Sequence, residues 1–277
     1  MQRLIVNTAP RPAALERDEL DRSLPEWARR TNPIVRRHLG AYWKTMAIDP
    51  WLIARIYLGQ AIFIALSFPL PVLLTLLMPT VTVSLVLLPV GAIMYGQLLY
   101  TIAKLSALSV VDERRNNTLE LIRVIPLPRV NILYSKVAAA VWRQVEDLGL
   151  LLMMTSLFSL PLIIIQHDIY FSLDAEPLLM RVGTLLGLAV SLLRLVLEPV
   201  MIASVGVLVG TIARQRIPAT IAIVLLGIAY FLLINFIRLL PVDAAGRLLV
   251  EIIMPLALPL LLTALALRLS AFLLERD

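Results

Sequence analysis

Apolar residues in this chain do not alternate with polar ones at a short period; they run in long blocks separated by brief polar interruptions. A bilayer core of about 30 Å needs roughly 20 helical residues at 1.5 Å rise each. Six blocks reach that length, at about 52–77, 80–104, 138–165, 179–212, 217–238 and 248–273. Lipid offers no partner to an open backbone group, so the blocks read as helices. The expected fold class is an all-α polytopic membrane protein with six transmembrane helices. Pro69, Pro71, Pro89, Pro161, Pro199, Pro255 and Pro259 fall inside the blocks and are expected to kink them. The fourth block exceeds what a bilayer needs, so it is tilted, broken near Pro199 or extended past the outer face.

Ahead of the first block the pattern changes. Residues 1–31 read as a polar cytoplasmic tail, mobile or forming a short solvated helix, and 32–277 as the membrane domain. In "NPIVRRHLGAYWKTMAIDP", Asn32 is placed to cap a helix with Pro33 in its first turn. Ile34, Val35, Leu39, Tyr42 and Trp43 interleave with Arg36, Arg37, His38 and Lys44. Such a basic amphipathic segment suits the membrane surface, with a plain soluble helix as the alternative.

Composition narrows the class. Hydrophobic residues make up 60% and charged residues 16% of 277, where a soluble domain sits near a quarter charged. The absence of cysteine excludes disulfides, thiolate metal sites and thiol catalysis. The net charge of +6 gains meaning from position. Lys104, Arg114, Arg115, Arg123, Arg129 and Lys136 lie between the second and third blocks, with Arg214 and Arg216 in the next loop on that side. The opposite loops hold Arg181, Arg238 and Arg247 with Asp168, Asp174, Glu176, Asp243 and Glu251. Eight basic residues against three put both termini in the cytoplasm. The basic excess therefore reads as topology, with no nucleic-acid partner. No apolar segment follows a basic start in the first fifty residues, so insertion is expected to rest on the first span.

A few polar residues could carry chemistry. Arg194 and Glu198 stand one helical turn apart inside the fourth block and can form an intramembrane ion pair. Charges at that depth line cavities or brace helices, and both readings stay open. Gly183/Gly187 and Gly206/Gly210 permit close helix approach, within the chain or between subunits. Gly91 and Gly96 have the interval of a phosphate loop, but Gln97 and Leu98 stand where Lys and Ser/Thr are required. The chain is thus not expected to be an enzyme or to bind a cofactor. His167, Asp168, Asp174 and Glu176 are spaced too loosely for zinc, so no metal site is expected.

One polar stretch, "VVDERRNNTLELIRVIPLPRVNILYSK" (110–136), is more elaborate than a connector requires. Asn117 is placed to cap a helix over 118–125, and Glu120 can reach back to its amide. Pro126 disfavours helical geometry at Ile125 and ends it, while Pro128 suits the first turn of the next helix. Leu119, Leu121, Ile122, Val124 and Ile125 give the short helix an apolar surface that something should cover.

Glu113, Arg114, Thr118, Leu119, Glu120, Leu121, Pro126, Ile132 and Lys136 together resemble the loop signature of type-2 permeases of ATP-binding-cassette transporters. "NPIVRR" resembles that family's N-terminal elbow helix, and "VGVLVGTIARQRIPATIAIVLLGIAYFLL" (205–233) its fourth-to-fifth span junction. The resemblance covers roughly 32–273. It implies a cytoplasmic coupling helix between spans 2 and 3 that docks into a cleft of a separate ATPase. The coupling residues would be Glu113, Arg114, Asn117, Thr118, Leu119, Glu120, Leu121, Ile122, Ile125 and Pro126. The family usually has Gly at Asn117 and often Ser or Thr at Pro128; both departures keep helix-start chemistry. The implied function is the permease subunit of an exporter in a prokaryotic plasma membrane, paired with a second protomer and surrounded by lipid. It would move an amphiphilic or hydrophobic substrate, with ATP and Mg held by the partner ATPase. The alternative is a membrane scaffold that keeps a permease-like fold without transport; a lipid-modifying enzyme lacks a nucleophile or metal set.

Overall fold

The computed structural model describes residues 21–39, 50–118, 128–170 and 177–276, and these are helical with short connections. The helices are α1 (Pro33–Leu39), α2 (Pro50–Leu66), α3 (Val72–Thr75), α4 (Met78–Arg115) and α5 (Arg129–Trp142). They continue as α6 (Val145–Tyr170), α7 (Pro177–Ile212), α8 (Arg216–Arg238), α9 (Ala244–Leu248), a π-helical turn (Leu249–Ile253) and α10 (Met254–Arg276). Among the described residues five helices are long and apolar enough to cross a membrane: Pro79–Arg115, Val145–Ile169, Pro177–Ile212, Arg216–Arg238 and Gly246–Arg276. The chain is an all-α integral membrane protein.

The block at 52–77 is not one helix. It breaks after Leu66 and resumes only as the short α3. Pro69 and Pro71 explain the break, because the residue before each avoids helical geometry. The carbonyl of Ser67 takes a hydrogen bond from Arg181 Nη2 (2.8 Å), and that guanidinium also covers the Phe68 ring at 4.8 Å. Arg181, read above as an outer-loop charge, is thus a buried brace for a helix end that would otherwise lack donors.

The block at 138–165 also divides, between Trp142 and Val145. No proline or glycine stands there, so the cause is packing. The α5 segment buries Ala138 and Ala139 against Val35 and Leu39 of α1 and Ala28 before it. Trp142 Nε1 donates to the Ala28 carbonyl (2.8 Å), and the Trp27 and Tyr134 rings meet at 4.9 Å. Residues 21–30, expected as part of a mobile or solvated tail, are packed on α5, with Asp21 accepting from the Arg30 amide at 2.7 Å. The start of α1 follows the sequence expectation. Asn32 Oδ1 accepts from the Ile34 amide (2.9 Å), and Pro33 opens the helix. Residues 40–49, including Tyr42, Trp43 and Lys44, lie outside the described residues.

Elsewhere helices are longer than the apolar blocks. The α4 helix runs eleven residues past 104, so Lys104 is helical and not in a loop. Its 38 residues span about 57 Å at 1.5 Å each. The α7 helix passes unbroken through a buried Pro199 for 36 residues, about 54 Å. It is the central post, packed by α4, α10 and α6. Gly206 and Gly210 allow the closest of these approaches. A Cβ at Gly206 would sit 2.5 Å from the Ala103 carbonyl oxygen, and one at Gly210 2.5 Å from that of Ala107. This pair therefore serves packing of α4 on α7 within the chain. Gly91 and Gly96, in the N-terminal half of α4, have nothing within 4 Å of a built Cβ. Large apolar side chains stay uncovered along α4 and α8, such as Val86, Ile93, Ile217 and Phe236, as lipid contact requires.

Candidate functional site

The last turn of α4 sends three consecutive side chains to different neighbours. At 100° per residue, adjacent positions on a helix point to different sides. Asp112 Oδ1 pairs with Arg216 Nε of α8 at 2.7 Å. Glu113 turns toward α5 and α1, where its carboxylate accepts from Lys136 Nζ and lies 3.5 Å from His38 Nε2. Arg114 Nη1 donates to the Thr211 carbonyl at the end of α7 (2.9 Å). One turn thereby ties four helices to α4 at a common level.

Glu113 and Lys136 are both buried, and Lys136 Nζ also donates to the Ser109 carbonyl at 3.2 Å. Burial pulls the Lys136 ammonium below its usual value, against the opposing pull of the Glu113 carboxylate. A cavity of about 350 Å³ opens beside the pair, bordered by Arg37, His38, Asp112 and Thr118.

Asn117 closes α4. Its φ of 55° is left-handed, its amide bonds the Arg114 carbonyl (3.2 Å), and the Thr118 amide bonds the Glu113 carbonyl (2.9 Å). These two bonds are the Schellman pattern of a helix C-terminus, where Gly or Asn is favoured. The expected N-cap role is corrected accordingly, since an N-cap normally has an extended backbone. Thr118 Oγ1 also reaches the Glu113 carbonyl at 3.2 Å. Leu119, Glu120, Leu121, Ile122, Ile125 and Pro126 lie outside the described residues. Pro128 is extended (φ −55°, ψ 132°) and precedes the first residue of α5 instead of entering its first turn.

A second cluster lies inside the helix bundle. Glu198 of α7 is fully buried 14 residues before Ile212, about 21 Å along the axis. Arg194 Nε pairs with Oε1, as the spacing predicts. Two residues that the sequence reading missed complete the site: Tyr230 of α8 donates to Oε1 at 2.8 Å, and Tyr95 of α4 donates to Oε2. The carboxylate thus gathers donors from three helices. A signal for the tyrosines existed, because a buried phenol inside a span needs a polar partner. Which partner it finds is not a local property.

Near the C-terminal ends of α6 and α8, Glu251 in the π-helical turn accepts from Gln166 Nε2 (2.9 Å) and pairs with Arg238 Nη2 (3.1 Å). Arg247 Nη1 stands 4.0 Å from its other oxygen. Residues counted above as outer-loop charges are therefore an interhelical network. His167 belongs to α6 and not to a loop, and its Nδ1 lies 2.8 Å from the Ile163 carbonyl. A cavity of about 330 Å³ reaches from Glu198 and Arg194 to Arg238 and Glu251, with His167 and Ser191 on its walls. Among the described residues no group of three His, Cys, Asp or Glu side chains could hold a metal ion.

No protein-family model, curated protein or solved structure matches the chain.

Proposed function

We propose that the chain is the membrane-spanning permease subunit of an ATP-binding-cassette exporter, working as a dimer with separate ATPase subunits. The observation that carries the reading is the pair of anchors bracketing 119–127. On one side Asn117 and Thr118 seal the end of α4, and on the other α5 begins, with Lys136 fastened to Glu113. Force applied to that segment would pass into α4 and α5 at once, and through Asp112 and Arg114 into α8 and α7. A coupling element needs such rigid attachment to the spans it moves.

In this reading six crossings are made, the first by α2 with its proline bend, and both termini face the cytoplasm. The α1 helix acts as the elbow, joined to the hub by His38. Apolar Leu121 and Ile122 fill a cleft on the ATPase, which holds ATP and Mg. The transported class is amphiphilic or hydrophobic.

The test is co-purification of the chain with the ATPase encoded nearest to it. Interface energy concentrates in a few buried side chains, where truncation costs about 2 kcal/mol or more. At 1.4 kcal/mol per tenfold, Leu121→Ala or Ile122→Ala should weaken retention by roughly thirty-fold. Membrane insertion should be unchanged. Retention by both variants at the original level would sink the coupling reading and leave a scaffold ahead. A reporter fused after Asp174 should be outside and one after Gln215 inside; an inside signal at 174 removes the six-span arrangement.

A further inference from the structure

Outside the cytoplasmic hub, the cavity between α6, α7, α8 and the π-helical turn is the place where chemistry remains unspent. Its lining carries two carboxylates, but neither is open to a ligand. Glu198 is fully buried under Arg194, Tyr95 and Tyr230. Glu251 is occupied on Oε2 by Gln166 and Arg238, and its Oε1 is buried without a hydrogen-bond partner, 4.0 Å from Arg247 Nη1. The arginines differ. Arg194 uses only Nε on Glu198, its side chain is 20% exposed, and it lines the cavity. Among the described residues none accepts a hydrogen bond from its two terminal amino groups. Across the cavity Arg238 contributes a second guanidinium, held by Glu251 through Nη2, with its Nε buried. Each guanidinium on the walls is thus matched by a carboxylate, and the group left open to the cavity is the outer edge of Arg194.

From this open guanidinium edge we infer that the cavity is a binding site for a singly charged oxyanion, with Arg194 as its anchor. A guanidinium holding a neighbour through Nε still offers its outer amino groups to a planar partner, and carboxylates match that geometry. A dianion is disfavoured, because Arg238 is already engaged with Glu251 and only one fork is open. The volume of about 330 Å³ admits a small carboxylate whole, or the head of a carboxylate amphiphile with its tail outside. The site is independent of the permease reading, since it uses no residue of the coupling segment.

The experiment uses the full chain in maltoside micelles at pH 8, with radiolabelled decanoate as the probe and empty micelles as the blank. Saturable binding at one site per chain is expected, displaced by unlabelled decanoate but not by decanol or decyltrimethylammonium. Acetate separates the two sources: displacement at millimolar concentration means that the head group suffices, and failure means that the tail contributes. Arg194→Lys keeps the charge opposite Glu198 but cannot pair there and still present a fork, so affinity should fall at least tenfold. Ser191→Leu fills the cavity from the wall, leaves the Arg194–Glu198 pair in place, and should lower affinity as strongly. Uptake no greater than by empty micelles overturns the proposal. So does displacement by decanol or the ammonium equal to that by decanoate, or wild-type affinity in both variants. Should either variant not fold, the competition series on the unmodified chain decides the matter alone.

Discussion

Glu113 at the C-terminal end of α4 and Glu198 inside α7 each join three helices, yet they are built from different partners. Glu113 faces a lysine and a histidine from other helices, beside a 350 Å³ cavity. Glu198 faces one arginine from its own helix and two phenols from neighbours. The difference follows depth. Bringing a cation from a second helix into the bundle interior costs desolvation that pairing repays only with near-ideal geometry. An i, i+4 arginine arrives with the helix that carries the glutamate, and tyrosines bring donors without a second charge to desolvate. Beside the cavity at the end of α4, a lysine from another helix costs less to bring in. The Glu198 cluster thus holds three helices with a single added charge, and the Glu113 cluster joins charges carried by separate helices.

Removing the inner carboxylate should break this contrast most severely. Glu198→Ala leaves Arg194 uncompensated and two phenols without an acceptor, for a loss of about 3–5 kcal/mol, the range for a broken buried pair. Thermal unfolding in detergent measures it; a small shift would mean that water reaches Glu198 freely. Glu113→Ala strands the Lys136 ammonium, but the adjoining cavity and the Ser109 carbonyl soften the loss to about 2 kcal/mol, within the range for hydrogen bonds to charged groups. Adding Lys136→Met should restore much of it, because the buried charge goes too. A double mutant no better than the single would show that the pair is not coupled as drawn. Tyr230→Phe deletes one neutral donor to the carboxylate and should cost about 1.5 kcal/mol, sharpening the claim that three donors share Glu198. Smallest of all, Arg216→Ala removes a partner of Asp112 at an exposed position, and the melting temperature should not move.

Much of the architecture was legible along the chain. The apolar blocks marked the long helices because lipid forces backbone groups to pair internally, and that constraint is local. Asn32 and Pro33 marked the start of α1, and the spacing of Arg194 and Glu198 gave their pairing. All of these act within one or two helical turns. The break at Pro69 and Pro71 was also written locally, but hydropathy alone ran through it.

Tertiary structure decided the remainder. The division between α5 and α6 has no breaker residue; it exists because α5 packs on the segment containing Ala28, Val35 and Leu39. Asn117 was read toward the helix after it, whereas the fold uses its left-handed conformation to end the helix before it. Tyr95 lies 103 residues from Glu198, and Lys136 lies 23 from Glu113. A helix fixes where its own side chains point, but which neighbour stands there depends on how helices cross and how closely they approach. At α4 and α7 that approach is set by Gly206 and Gly210, whose missing Cβ atoms let the carbonyls of Ala103 and Ala107 come within reach.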